Sequence, residues 1–259
     1  MKILTIGSAM YDLFLEYASP QTVTFEVDGQ DVNYIILEEG HKIELTTLKP
    51  FTGGGATNSA ASFVRLGFTA AACSKIGHDE QGGFIFTALE NTGIDTSFIT
   101  VTSDERTGCS FIIPSPTGDK AVLVYRGASL QLSIEDIPLS DFGQFNQLYI
   151  TSLSRNTSEL LPIICAQAKK LGIPVAANPG TSQLTENVQT LAESLDAITI
   201  LILNCFESTL LMEQFDYRIK KKKTVRNKRV PSKNKDGLKK LPELLCAPIT
   251  RGDVQFTPS

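Results

Sequence analysis

The sequence predicts an α/β protein: an open, mostly parallel sheet with flanking helices, and a small β region set apart from it. Three patterns carry that expectation. Lys2-Ile-Leu-Thr-Ile-Gly7 is a short apolar strand ended by glycine, and from residue 146 onward strand and helix patterns alternate. Residues 13–50 and 108–127 instead hold strand after strand with turn signals between them. Alternating strands and helices build parallel sheets covered on both faces, whereas strands joined by tight turns build antiparallel ones.

Taken in order, the first strand is followed by Asp12, and then by Thr22–Val27, Tyr34–Leu37 and Lys42–Leu45, separated by the hairpin signals Asp28-Gly29 and Glu39-Gly40. Gly53-Gly-Gly-Ala-Thr-Asn58 opens a helix that runs toward Gly67. A second hairpin joins Cys109–Ile113 to Ala121–Tyr125 through Pro114-Ser-Pro-Thr-Gly-Asp119. Gln147–Thr151 reads as a strand, Ser158–Leu171 as an amphipathic helix ending at Gly172, Ile173–Ala177 as a strand, and Ala197–Leu203 as a buried strand. The core is expected in 1–12, 51–107 and 128–217 and the small β region in 13–50 and 108–127. Residues 218–259 read as a basic, flexible insertion or degraded tail.

Composition narrows the class. With 259 residues, 42% of them hydrophobic, the chain can bury a sizeable core. Five scattered cysteines read as reduced core residues, and His41 and His78, the only histidines, leave little for a histidine triad or metal site. No apolar stretch approaches the roughly 18 residues of a membrane span, and Asp12 and Glu16 interrupt any secretory leader, so a cytoplasmic protein is expected. Residues 218–240 hold 12 of the chain's 24 Lys and Arg residues with only Asp236 against them. Such a run reads as a solvated loop able to attract polyanions, although no aromatic residues interleave to stack bases.

Gly53, Gly54 and Gly55 let backbone approach a ligand without Cβ contact, and a helix start offers unpaired N–H groups. Asn58 can donate and accept, which suits hydroxyls. A plain strand-to-helix turn explains the glycines as well, and Asp12 alone reads more readily as a solvated turn or cap residue. A dinucleotide site fits poorly, because the Gly-x-Gly-x-x-Gly spacing is missing.

Taken together, Asp12 and the Gly53–Asn58 block resemble the ribokinase, or pfkB carbohydrate kinase, family. Lys75-Ile-Gly-His-Asp-Glu-Gln-Gly-Gly83, with Gly77, Asp79 and Gly82 as its core, is similar to the family's next block, and Asn204-Cys-Phe-Glu207 to its Asn-x-x-Glu motif. The resemblance implies a ribokinase-like sheet with a β lid over the sugar, often a dimer surface. It implies ATP-dependent phosphorylation of a sugar or nucleoside hydroxyl, with Asp12, Gly53, Gly54, Gly55 and Asn58 holding the acceptor. Asn204 and Glu207 would organise Mg²⁺ and the nucleotide phosphates, with Glu207 reaching the metal. Asn178, in a Pro-Gly turn, is as readily structural. The family's Asp-Thr-x-Gly-Ala-Gly-Asp segment, which carries the catalytic base, has no clear counterpart. The one Gly-Asp pair after Glu207 is Gly252-Asp253, preceded by Arg251 where the turn needs a small residue. No catalytic residue is assigned, and impaired activity is expected. The alternative is a non-catalytic remnant or sugar-binding module with a polyanion-binding arm.

Overall fold

Residues 1–214 are described by the computed structural model. Two compact units divide the chain, Met1–Leu211 and Met212–Ser259. Every element named below belongs to the first, and the basic run and Asp253 lie outside the described residues.

In chain order the elements are β1 (Lys2–Ile6), β2 (Met10–Tyr17), β3 (Gln21–Val27), β4 (Gln30–Ile36), β5 (Leu45–Gly53), α1 (Gly55–Arg65), β6 (Thr69–Gly77), α2 (Glu80–Thr92) and β7 (Ile99–Thr102). There follow β8 (Cys109–Pro114), β9 (Lys120–Tyr125), β10 (Gln147–Ile150), α3 (Leu160–Leu171), β11 (Val175–Ala177), α4 (Thr181–Thr185), α5 (Val188–Ser194) and β12 (Ile200–Leu201). A six-stranded sheet runs β12-β11-β10-β1-β6-β7, parallel at every pairing. Its central strands are buried on both faces: Ile3, Leu4 and Ile6 of β1 and Ala70, Ala71, Ala72 and Cys73 of β6 are all within 1% of full burial. Near-continuous apolar strands are what helices on both sides of a parallel sheet require.

A separate four-stranded sheet runs β5-β2-β8-β9, with β2 antiparallel to β5 and parallel to β8, and β3 and β4 form a hairpin of their own. Asp28 and Gly29 take φ of 52° and 76° between β3 and β4, the geometry of a two-residue hairpin turn. Pro50 sits in β5, the edge strand, where its missing N–H removes no ladder bond from a neighbour.

The structure corrects three details. No strand spans Lys42–Leu45, and Glu39-Gly40 joins no hairpin: the next strand starts at Leu45 and pairs with β2, because that register lets residues 45–53 run along Met10–Tyr17. The expected buried strand at 197–203 shortens to Ile200–Leu201 at the sheet edge, with Ile200 50% and Ile202 40% exposed among the described residues. Its pairing is confined to Ala176 and Ala177. Of the cysteines, Cys73 and Cys165 are core residues, whereas Cys109 is half-buried and Cys205 exposed; Cys246 lies outside the described residues.

Helix ends follow local chemistry. Gly93 and Gly172 close α2 and α3 in the left-handed conformation. Asp79 caps α2 by accepting from the Gly82 N–H at 2.8 Å.

Candidate functional site

Asp12 lies on β2, at the start of the four-stranded sheet, rather than in a turn after β1. In register it stands beside Phe51 of β5 and Ser110 of β8, and Ser110 in turn faces Val124 of β9. These four side chains therefore share one face of the small sheet. The Ser110 hydroxyl donates to Asp12 Oδ1 at 2.6 Å, a charge-assisted bond that fixes the carboxylate.

The glycines pack against the protein's own atoms. A Cβ on Gly53 would fall 1.9 Å from Asp12 Oδ2, so glycine there is what lets the carboxylate lie across the end of β5. A Cβ on Gly55 would fall 2.4 Å from Thr151 Oγ1, and one on Gly7 2.0 Å from the same atom. These two contacts press the N-terminus of α1 onto the ends of β1 and β10. Gly54 has φ of 98° and no room for a side chain against the Ser8 carbonyl.

Two of the N–H groups expected to be open at the start of α1 are occupied. Gly55 N–H donates to Ser8 Oγ at 3.2 Å and Ala56 N–H to the Ser8 carbonyl at 3.1 Å. Serine thus supplies the cap that Gly54 lacks. Asn58, one turn into α1, is exposed, and its amide makes no hydrogen bond among the described residues.

Asn204 and Glu207 form a reciprocal pair. Asn204 N–H donates to Glu207 Oε2 at 2.9 Å and Glu207 N–H to Asn204 Oδ1 at 2.8 Å. This is a capping box at the start of the helical residues that follow, and among the described residues it leaves Glu207 Oε1 unengaged. No group of three His, Cys, Asp or Glu side chains suited to a metal occurs among the described residues. A magnesium ion fits here only as one carried mainly by phosphate oxygens and water, with one carboxylate. Asn178 spends its amide on the Ile202 carbonyl at 2.9 Å, tying β11 to the segment after β12.

Four contributors were missed in the sequence. Ser8, Ser110 and Thr151 are small polar residues in ordinary patterns, and their roles arise from partners 47, 98 and 145 positions away. The fourth is Arg126, which lines a cleft with Ser8, Met10, Ser129, Ser152 and Ser154. It is exposed, and none of the ion pairs among the described residues engages it.

Thiol chemistry is disfavoured at three of the described cysteines. Burial pushes Cys73, helped by the charge of Asp136, and Cys165 up to about 12. Cys109, beside the site, is raised by burial and by the charges of Asp79 and Asp12. All three stay protonated near neutrality, which removes them as nucleophiles.

Comparison with known proteins follows the same outline. Residues 2–241 match the family described as pfkB family carbohydrate kinase. A ribokinase from Staphylococcus aureus is 27% identical over 210 residues, covering 81% of this chain and 62% of the relative. A 5-dehydro-2-deoxygluconokinase from Geobacillus thermodenitrificans is 35% identical over 139 residues, 51% of this chain and 41% of the relative. The Arabidopsis thaliana ribokinase solved with ribose and ATP superposes with a TM-score of 0.64 at 21% identity, over 85% of this chain and 67% of that one. The chain thus spans less than two thirds of the length of these curated relatives.

Proposed function

The chain belongs to the pfkB family of carbohydrate kinases, and on that premise we propose that the Asp12 site holds a sugar hydroxyl for ATP-dependent phosphorylation. The observation that carries this is the carboxylate itself: Ser110 holds Oδ1, the group is laid over Gly53, and no hydrogen bond among the described residues engages Oδ2, which can accept from a hydroxyl donor. Asn58 supplies a second, free amide from α1, and Gly53, Gly54 and Gly55 set the angle between the two elements. Phe51 and Val124, on the Asp12 face of the small sheet, act as a lid that keeps water from the acceptor.

ATP would supply the phosphoryl group and Mg²⁺ would offset its charge; Asn204 and Glu207 are the residues we assign to hold the phosphates and the ion. What this chain would contribute is positioning: a hydroxyl held by Asp12 and a carboxylate, Glu207, for the ion. Arg126 narrows the acceptor further. A guanidinium with no ion pair among the described residues, at a cleft of serine, leucine and methionine side chains, favours a sugar bearing a carboxylate or phosphate, which agrees with a relative named for a gluconate derivative.

The opposite face of the lid carries Leu48 and Leu123, 58% and 60% exposed, with Phe111 between their strands. We assign that face to a second copy of the chain, because contiguous exposed apolar surface on a sheet marks an interface.

The sequence before Asp253, Ile-Thr-Arg-Gly, departs from the family's Gly-Ala-Gly-Asp pattern, and on that ground we expect low turnover. General-base and anion-hole contributions are each worth about 10² to 10⁴ in rate. The test is transfer of labelled phosphate from ATP with Mg²⁺ to D-ribose, D-fructose and D-gluconate. Weak transfer abolished by Asp12→Ala is the expected result. Robust transfer that vanishes in Asp253→Asn would contradict the low-turnover claim and make Asp253 the base.

A further inference from the structure

Three strands of the lid sheet, β2, β8 and β9, leave or enter the core near one point. β8 departs just after Arg106-Thr107-Gly108, β9 returns into Arg126-Gly127, and β2 begins where Tyr11 N–H donates to the Gly108 carbonyl at 2.8 Å. This crossing is packed too tightly for side chains. A Cβ on Gly108 would lie 2.5 Å from the Arg126 carbonyl oxygen, one on Gly127 2.2 Å from that of Arg106, and one on Gly77 2.5 Å from Thr107 N.

Thr107 is the pin. It is 3% exposed, and its hydroxyl accepts from Gly77 N–H at 2.9 Å and donates to Asp79 Oδ1 at 2.5 Å. Its own N–H donates to Asp79 Oδ2 at 2.8 Å. Asp79 is in turn locked to α2 through Gly82 N–H, and a Cβ on Gly82 would meet the Gly77 carbonyl at 2.2 Å. One carboxylate therefore accepts three hydrogen bonds and ties β6, α2 and the first residues of the lid together. Three residues beyond Thr107 stands Ser110, which holds Asp12.

We propose that the Asp79–Thr107 pair is a positioning device for the lid: it fixes where the small sheet leaves the core and, through Ser110, where the Asp12 carboxylate stands. Partial burial works against the charge of Asp79, but its bonds from Thr107 and Gly82 outweigh this and hold its carboxyl below the usual range, as a clamp used in the charged form requires. Neither residue touches the acceptor; both act through β8. The effect on sugar binding rests on the function proposed above, whereas the effect on lid motion does not.

The test compares backbone hydrogen exchange of the full chain with that of Thr107→Val, Thr107→Ser and Asp79→Asn. In Thr107→Val and Asp79→Asn, exchange in β8 and β9 rises about tenfold while β1 and β10 stay as in wild type, and Thr107→Ser, which keeps the hydroxyl, restores protection. Unchanged exchange in β8 and β9 would overturn the proposal, as would an equal rise in both sheets, which signals general destabilisation. Calorimetric titration with D-ribose, D-fructose and D-gluconate supplies the second readout. A sugar bound by wild type binds Thr107→Val about tenfold more weakly, a loss of about 1.4 kcal/mol, and equal affinity would overturn the positioning role. A wild type that binds none of the three contradicts the acceptor site instead and leaves the clamp to the exchange result.

Discussion

At the scale of single residues, Gly53 and Asp12 are one device, since the carboxylate occupies the volume a Gly53 side chain would need. Gly53→Ala should therefore displace Asp12 and weaken sugar binding about as much as removing the carboxylate, although alanine touches no ligand; calorimetric affinity measures this. Ser74 offers the opposite case. Its hydroxyl is buried without a partner among the described residues. Ser74 lies on the same face of β6 as Ala70, Ala72 and Ile76, which pack into an apolar cluster with Ile85 and Leu89. Ser74→Ala removes an unsatisfied polar group, so its stability should equal or exceed wild type by up to about 1 kcal/mol in chemical denaturation. Sequence spacing marked Asp12, the three glycines and Asn58 as a group, because their residue types and order are local. It could not show that the glycines make room for Asp12, Ser8 and Thr151, which depends on partners far away in the chain.

At the scale of elements, two carboxylates join segments the chain separates widely. Lys75 of β6 pairs with Asp136 at 2.9 Å with both side chains largely buried, and Asp136 also accepts from Ser133 N–H and hydroxyl. Removing one partner of such a pair strands a buried charge, so Asp136→Ala should cost on the order of 3 kcal/mol by denaturant titration. Burial opposes the charge of Asp136, yet the bonds from Lys75 and Ser133 prevail and its carboxyl, like that of Asp79, sits below the ordinary carboxylate value. A carboxyl with a depressed folded pKa stabilises the fold fully above its unfolded value, near 4, and loses that contribution as pH falls toward the folded value. Stability should thus decline on acidification below about pH 5, and the decline should be shallower in Asp79→Asn, as urea midpoints at several pH values would show. The Gly77, Asp79, Gly82 spacing was legible as a block, whereas α2 and its Asp79 cap were not read from it. The pairing of β5 with β2 was not, because the intervening hairpin hides which strand Leu45–Gly53 joins.

At the scale of the molecule, the parallel sheet was legible because strand and helix periods alternate, and the second sheet because they stop alternating. The shortness of β12 was not, since apolar runs look alike at the edge and in the centre of a sheet. Among the described residues no helix is long and apolar enough to cross a membrane. If the lid face bearing Leu48 and Leu123 is the proposed interface, sedimentation equilibrium should show a concentration-dependent dimer, and Leu123→Lys should shift it toward monomer.

The most direct test of the acceptor site is calorimetric titration of D-ribose, D-fructose and D-gluconate into the wild-type chain and into Asp12→Ala. The account predicts saturable binding of at least one sugar by wild type and a loss of about 1.5 to 3 kcal/mol in the variant, roughly ten- to a hundredfold in affinity. Equal binding by both proteins would contradict it.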